Sequence, residues 1–193
     1  MKLQFWKMTK KRAVKKCARL LLILLLIISF PACAAWPQPL EAVSEEESAA
    51  VESLLGGVDE EWLLIRKGEK RLFVVRNGKI VKSCAVATGR NPGQKEKAGD
   101  CRTPTGIFSV SQIQKASGWT HDFKDGKGEI KGAYGPWFIR LKTPWRGIGI
   151  HGTHDPDSIG KNATEGCIRL RNEELEELKE KYVKISMIVM IRD

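Results

Sequence analysis

Between Trp62 and Val86 the chain alternates short β-branched and aromatic runs with turn signals, and this texture constrains its fold more than any other feature. Trp62-Leu-Leu-Ile-Arg66 and Leu72-Phe-Val-Val-Arg76 are too short for independent helices. Asn77-Gly78 follows, a dipeptide suited to the positive φ angles of a two-residue hairpin, and then Ile80-Val81 runs on through Val86. Further strands are predicted at Gly106 to Val110, Trp137 to Leu141 and Ile148 to Gly152, and one within Val183 to Ile191 closes the chain. A late helix is legible, with Asn172 as its N-cap, Glu173 and Glu174 at its positive end, and Leu175, Leu178 and Tyr182 on one face. The expectation is a mainly β domain with a minor helical part, an α+β fold of sandwich-like character over residues 62–193. At about 130 residues it can bury a core without metal staples.

Charge separates this domain from what precedes it. The formal charge of +10 comes from 33 basic against 23 acidic residues, but eight of the basic residues precede Leu20 and the first acidic residue is Glu41. The remainder is nearly neutral, which removes the electrostatic case for a nucleic-acid partner. The basic stretch runs into an uncharged segment, Leu20 to Phe30, and then Pro31-Ala-Cys-Ala-Ala35. Residues 1–35 therefore read as a signal peptide or an N-terminal membrane or lipid anchor, with Cys33 as the lipidation candidate. Either reading predicts export to the periplasm or cell envelope. Residues 36–61 read as an acidic linker, a solvated spacer in which Ser44 and Glu47 are spaced as a capping box and Gly56-Gly57 as a stop.

Two polar segments, Gly89 to Thr105 and Ser117 to Gly135, match no regular element, and the second, carrying Trp119, His121 and Phe123, is expected to border a cleft. Of the cysteines beyond the leader, Cys84 and Cys101 flank one loop and are expected to form a disulfide, the alternative being two unpaired small hydrophobes. Cys167 occupies a Gly166-Cys167 turn just before the helix, where the glycine lets a substrate carbonyl approach and the turn amides face an oxyanion. A thiol attacks as thiolate and needs a base nearby, and His151, ending the apolar run Gly147-Ile-Gly-Ile150, is the best placed of the three histidines. An imidazole neighbour is expected to lower the thiol pKa to about 3.5 to 7.5. A zinc site from His151, His154 and Cys167 lacks a fourth ligand.

Ile150-His-Gly-Thr-His-Asp-Pro-Asp-Ser-Ile-Gly160 and Ala163-Thr-Glu-Gly-Cys-Ile-Arg-Leu-Arg-Asn172 together closely resemble the signature of the L,D-transpeptidase catalytic domain, the YkuD-type family of bacterial cell-wall enzymes. Arg102-Thr-Pro-Thr-Gly-Ile-Phe108 and Gly135-Pro-Trp-Phe138 are similar to further motifs of that family in the same order, so the resemblance spans about Leu72 to Ile191. It implies Cys167 as nucleophile, His151 as general base and later acid, and the Gly152 carbonyl orienting the ring. It also implies that Arg169 faces the site and holds a substrate carboxylate or ties loops together. Tyr134 and Trp137 are candidates for the acyl-donor groove, or for core positions, and Gly166 for close substrate approach. Thr153 and Ser158 read as turn residues. The implied activity is transpeptidation of peptidoglycan stem peptides through a thioester, by a monomer with no cofactor and no metal. Hydrolysis to an L,D-carboxypeptidase product, D-amino-acid exchange, and a non-catalytic wall-binding module are the alternatives. One departure stands out: many family members have histidine or arginine two residues before the nucleophile, and this chain has Glu165. Its carboxylate is expected to point away from sulfur, toward solvent or a basic partner such as Arg169 or Arg171.

Overall fold

The computed structural model describes residues 42–55, 60–124, 126 and 128–193. The expected leader, the start of the linker and the Gly56-Gly57 stop lie outside the described residues. In chain order the elements are helix α1 (Glu45–Glu52), strands β1 (Glu61–Arg66), β2 (Arg71–Arg76), β3 (Lys79–Ala85), β4 (Thr88–Gly89), β5 (Gly106–Lys115), β6 (Thr120–Asp122), β7 (Glu129–Lys131), β8 (Trp137–Lys142) and β9 (Gly149–His151), a 3-10 turn at Pro156–Ser158, β10 (Asn162–Thr164), β11 (Ile168–Arg169), helix α2 (Asn172–Lys181) and β12 (Ile188–Arg192). Among the described residues, eight strands form one mixed sheet in the order β11-β9-β8-β5-β12-β1-β2-β3. The fold is thus mainly β with minor helices, as expected.

The hairpin signal acts as the sequence predicts: Asn77 and Gly78 have φ of 53° and 67°, and β2 and β3 pair antiparallel around them. Along β1 the period of two divides the side chains between two cores. Leu63 and Ile65 join Leu72, Val74, Ile139, Ile150, Leu175 and Leu178 on one face, whereas Trp62 and Leu64 join Phe73, Val75, Met190 and Val51 on the other. Val51 belongs to α1, so the acidic segment is no solvated spacer. The capping box of Ser44 and Glu47 forms, and Glu47 turns inward, 4% exposed, where Arg66 of β1 donates to it at 2.9 Å. Burial by itself would raise the Glu47 carboxyl, but Arg66 and the Ser44 amide hold it below its ordinary value.

Two further expectations are corrected. Asn172 is the first helical residue of α2 and does not cap it; the N-cap is Arg171, which makes no side-chain cap bond. Cys84 and Cys101 are both free thiols. Cys84 faces the main core opposite Leu72, where burial pushes its thiol up to about 11, whereas Cys101 lies in the loop that borders the cleft described below.

The docking of α1 generates a prediction. Val51→Ala removes two buried methyl groups and should cost about 2 kcal/mol, lowering Tm by roughly 4–8 °C in a thermal melt. Because the folded-state pKa of Glu47 is depressed, its contribution is present above the unfolded-state carboxylate pKa of about 4.3 and is lost as pH falls through the lower folded value. Glu47→Gln should therefore narrow the difference between melts at pH 7 and at acid pH.

Candidate active site

Strands β9 and β11 are parallel neighbours, with Ile150 opposite Ile168 and His151 opposite Arg169. This register sets Cys167, just before β11, level with Gly149 at the start of β9, two residues before His151. Both side chains open on a cleft of about 690 Å³, bordered also by Tyr134, Phe138, Arg140, Trp145, Arg146 and Arg169. From the segment expected to border a cleft come Trp119, His121 and Phe123, carried on and around the antiparallel hairpin of β6 and β7.

His151 is 3% exposed and held on three sides. Phe138 stacks on the ring at 5.5 Å between centroids, Tyr134 meets it edge-on at 5.0 Å, and Nδ1–H donates to the Gly152 carbonyl at 2.6 Å. That carbonyl only accepts, so the proton sits on Nδ1 and Nε2 is left as the basic nitrogen. The loop bearing the carbonyl is itself clamped. Asn172 Oδ1 accepts from Thr153 N at 2.8 Å, and Asn172 Nδ2 donates to Thr153 O at 3.1 Å. Its amide satisfies both the backbone N–H and the C=O of Thr153, which explains why it does not cap α2. A Cβ at residue 152 would fall 2.2 Å from Asn172 Oδ1, so the clamp requires glycine there.

Cys167 Sγ donates to the Gly147 carbonyl at 3.1 Å. Burial pushes this thiol up to about 11, opposed by the Gly149 amide and by Arg169 and Arg140. Burial also lowers His151 to about 3, the nearby Arg169, His121 and His154 adding to the effect and the Gly152 bond opposing it. The expected thiolate–imidazolium pair is therefore absent at rest. Desolvation disfavours both charges, and the resting pair is neutral thiol and neutral imidazole.

The other sequence candidates divide. Arg169, 4% exposed, borders the cleft and also ties a loop, donating to Ser158 Oγ at 2.9 Å, with Asp155 at 4.0 Å and the Phe123 ring 5.6 Å from its guanidinium. Thr153 is a turn residue as expected, its hydroxyl bonded to Asp155. Gly166 lies buried with φ of 130°, and a Cβ there would come 2.8 Å from the Arg102 carbonyl. Its amide donates to Thr164 Oγ1 at 3.1 Å, so it is not a free oxyanion donor. Trp137 does not line the cleft. The alternation along β8 turns Phe138 and Arg140 to the cleft, while Trp137 lies against the main core with Lys179 4.3 Å from its ring. Glu165 does meet basic groups, but they are Arg90 at 3.4 Å and His121 at 3.0 Å rather than Arg169 or Arg171. The sequence reading missed Asn172 as a clamp, named His121 only as part of a cleft-bordering segment, and gave no role to Arg140, Arg146 or Trp145.

The family model described as the YkuD L,D-transpeptidase catalytic domain matches residues 60–189. A relative from Bacillus subtilis (strain 168), whose assigned name is that of an L,D-transpeptidase, YkuD, is 32% identical over 111 residues, covering 58% of this chain and 54% of the relative. A second relative from the same strain, assigned as the L,D-transpeptidase YqjB, is 30% identical over 134 residues, 68% of this chain and 71% of the relative. The chain thus spans about half the length of the first and over two thirds of the second. Among solved structures, L,D-transpeptidase 3 from Mycobacterium tuberculosis, in complex with a faropenem-derived adduct, superposes with a TM-score of 0.53 at 16% identity, covering 69% of this chain and 60% of that one.

The site makes two predictions. Alkylation of Cys167 measured against pH should rise with an apparent pKa well above the ordinary thiol value of about 8.5, and Glu165→Gln should move it by well under about one unit because Arg90 and His121 already balance that carboxylate. Asn172→Ala should lower acylation by about tenfold or more by freeing the Gly152 carbonyl. It should also shift the downfield proton resonance of His151 Nδ1–H, while the protein stays folded by circular dichroism.

Proposed function

The chain belongs to the L,D-transpeptidase catalytic domain family, and from that premise we propose that it is an exported cysteine L,D-transpeptidase that cross-links peptidoglycan stem peptides. The observation that carries the reading is the tautomer of His151. With Nδ1–H committed to Gly152, Nε2 is free to take the Cys167 proton. As the sulfur attacks the carbonyl of the third stem residue, that proton passes to His151 and then to the departing amine of the terminal D-alanine, leaving a thioester. The amine of a neighbouring stem then attacks the thioester, and His151 returns a proton to sulfur. No charged thiolate has to accumulate, which agrees with the direction in which desolvation moves both groups.

Aromatic walls favour transfer over hydrolysis. Trp119, Phe123, Tyr134, Phe138 and Trp145 surround the cleft and limit the water that reaches a thioester. Gly166 and Arg169 serve the donor as approach surface and carboxylate partner, and Tyr134 borders the bound stem. Export rests on the basic, then apolar, leader over 1–35, which also offers a membrane tether.

Intact-mass measurement tests this reading. Incubation with a stem tetrapeptide should add the acyl tripeptide to Cys167 and release D-alanine, and a carbapenem or penem should add covalently at the same residue. Cys167→Ala should give neither adduct, and His151→Ala should slow acylation by roughly a hundredfold or more. Normal turnover in Cys167→Ala, or unchanged mass after long incubation of the unmodified protein, would sink the assignment.

A further inference from the structure

Proton accounting leaves a gap in the second half of the reaction. A side-chain amine with a lysine-like pKa of about 10.4 reaches the cleft as an ammonium. Converting that ammonium and a thioester into an amide and a thiol releases two protons from nitrogen. One returns through His151 to the sulfur, and the other has no acceptor within the Cys167–His151 pair.

Resting on the function proposed above, we propose that Tyr134, His121 and Glu165 form a proton relay that deprotonates the incoming acceptor ammonium and passes its proton to solvent. Tyr134 Oη and His121 Nδ1 are 3.0 Å apart, and His121 Nε2 and Glu165 Oε2 are 3.0 Å apart. A carboxylate only accepts, so Nε2 carries the ring proton and donates to Glu165, and Nδ1 accepts from the Tyr134 hydroxyl. The phenol proton is thereby committed to the imidazole, and the phenol oxygen keeps a lone pair for the cleft that it borders together with Cys167.

In the step itself, an N–H bond of the ammonium breaks and an O–H bond forms at Tyr134. The original hydroxyl proton moves to His121 Nδ1, and the electron pair stays on nitrogen, which becomes the nucleophile. Tyr134 is a phenol before and after. The imidazolium formed is held by Glu165 and loses its proton to water, since the His121 side chain is 29% exposed. Burial raises the Tyr134 pKa, which suits a group that hands a proton on without remaining a phenolate.

The surroundings of His121 are accounted for. The Phe123 ring lies 4.5 Å away, and the neighbouring Asp122 is paired with Lys124. Arg90 sits on the far oxygen of Glu165, His154 lies beyond Phe123, and His151, Arg140 and Arg169 approach from across Tyr134. Glu165 is the carboxylate of the cleft, and its contacts with His121 and Arg90 orient one oxygen toward the ring.

The test separates the two half-reactions. The purified protein is acylated with stem tetrapeptide, then chased with a stem peptide bearing a free side-chain amine, each step followed by intact mass between about pH 6 and pH 10. His121→Gln should acylate within about twofold of the unmodified protein, yet its aminolysis at pH 7 should be slower by about tenfold or more. That deficit should narrow as pH approaches 10, where roughly a quarter of the acceptor already arrives neutral against well under about one per cent at pH 7. Glu165→Gln, which keeps a hydrogen-bonding group but cannot stabilise the imidazolium, should show a smaller deficit with the same pH trend, and it decides the matter if His121→Gln does not fold. Equal aminolysis in the variants, a deficit that does not narrow between pH 7 and pH 10, or acylation falling in parallel overturns the relay. Absence of any adduct on the unmodified protein overturns the proposed function and the relay with it, so the two failures are distinct.

Discussion

The chemistry of this cleft depends on one hydrogen bond, from His151 Nδ1–H to the carbonyl of Gly152 at 2.6 Å. It selects the tautomer that leaves a basic nitrogen toward the cleft, the task a carboxylate performs in serine hydrolases. A carbonyl brings no charge, so its value rests wholly on position. Position is supplied by the parallel pairing of β9 with β11, by the stacking of Phe138, and by Asn172 holding both the N–H and the C=O of Thr153. The same uncharged partner explains the electrostatic state of the pair. With no carboxylate behind the imidazole, burial prevails, and the thiol and the ring both rest neutral.

A cleft built this way handles cations with care. Arg140 and Arg169 both act to lower the Cys167 pKa, whereas Glu165, two residues from the nucleophile, acts in the opposite sense. Its carboxylate is engaged by Arg90 from the loop after β4 and by His121 from β6. The position where many family members carry a basic group is thus met by basic groups that arrive from other segments, and the short β6–β7 hairpin is fastened to the turn that carries Cys167 in the process.

Much of this was legible locally. The Asn77-Gly78 hairpin and the apolar face of α2 depend on a few neighbouring residues and were read correctly, and Cys167 and His151, singled out inside a family-like signature, do border one cleft. The misreadings share a cause, which is a choice between partners distant in the chain. Ser44 and Glu47 announce a helix, but nothing local says that Val51 will cover the second face of β1 and β2. Asn172 is a good capping residue by type, yet the backbone N–H and C=O of Thr153 offer it two hydrogen bonds. Trp137 and Phe138 are equally plausible cleft aromatics until the sheet fixes which face of β8 is turned to the cleft. Cys84 and Cys101 flank a loop, but Cys84 faces the core and Cys101 the cleft.

By itself the sequence determined the β-rich class, the hairpin, the late helix and the family signature that carries His151 and Cys167, because period, turn chemistry and motif are properties of contiguous residues. Only the tertiary structure decided the ionisation of that pair, since desolvation depends on what surrounds a group rather than what adjoins it. It alone decided the partners of Glu165 and the aromatic walls, which come from segments joined through the sheet. The meeting of Tyr134, His121 and Glu165 belongs to this second kind, three residues up to 44 positions apart with no local signal linking them.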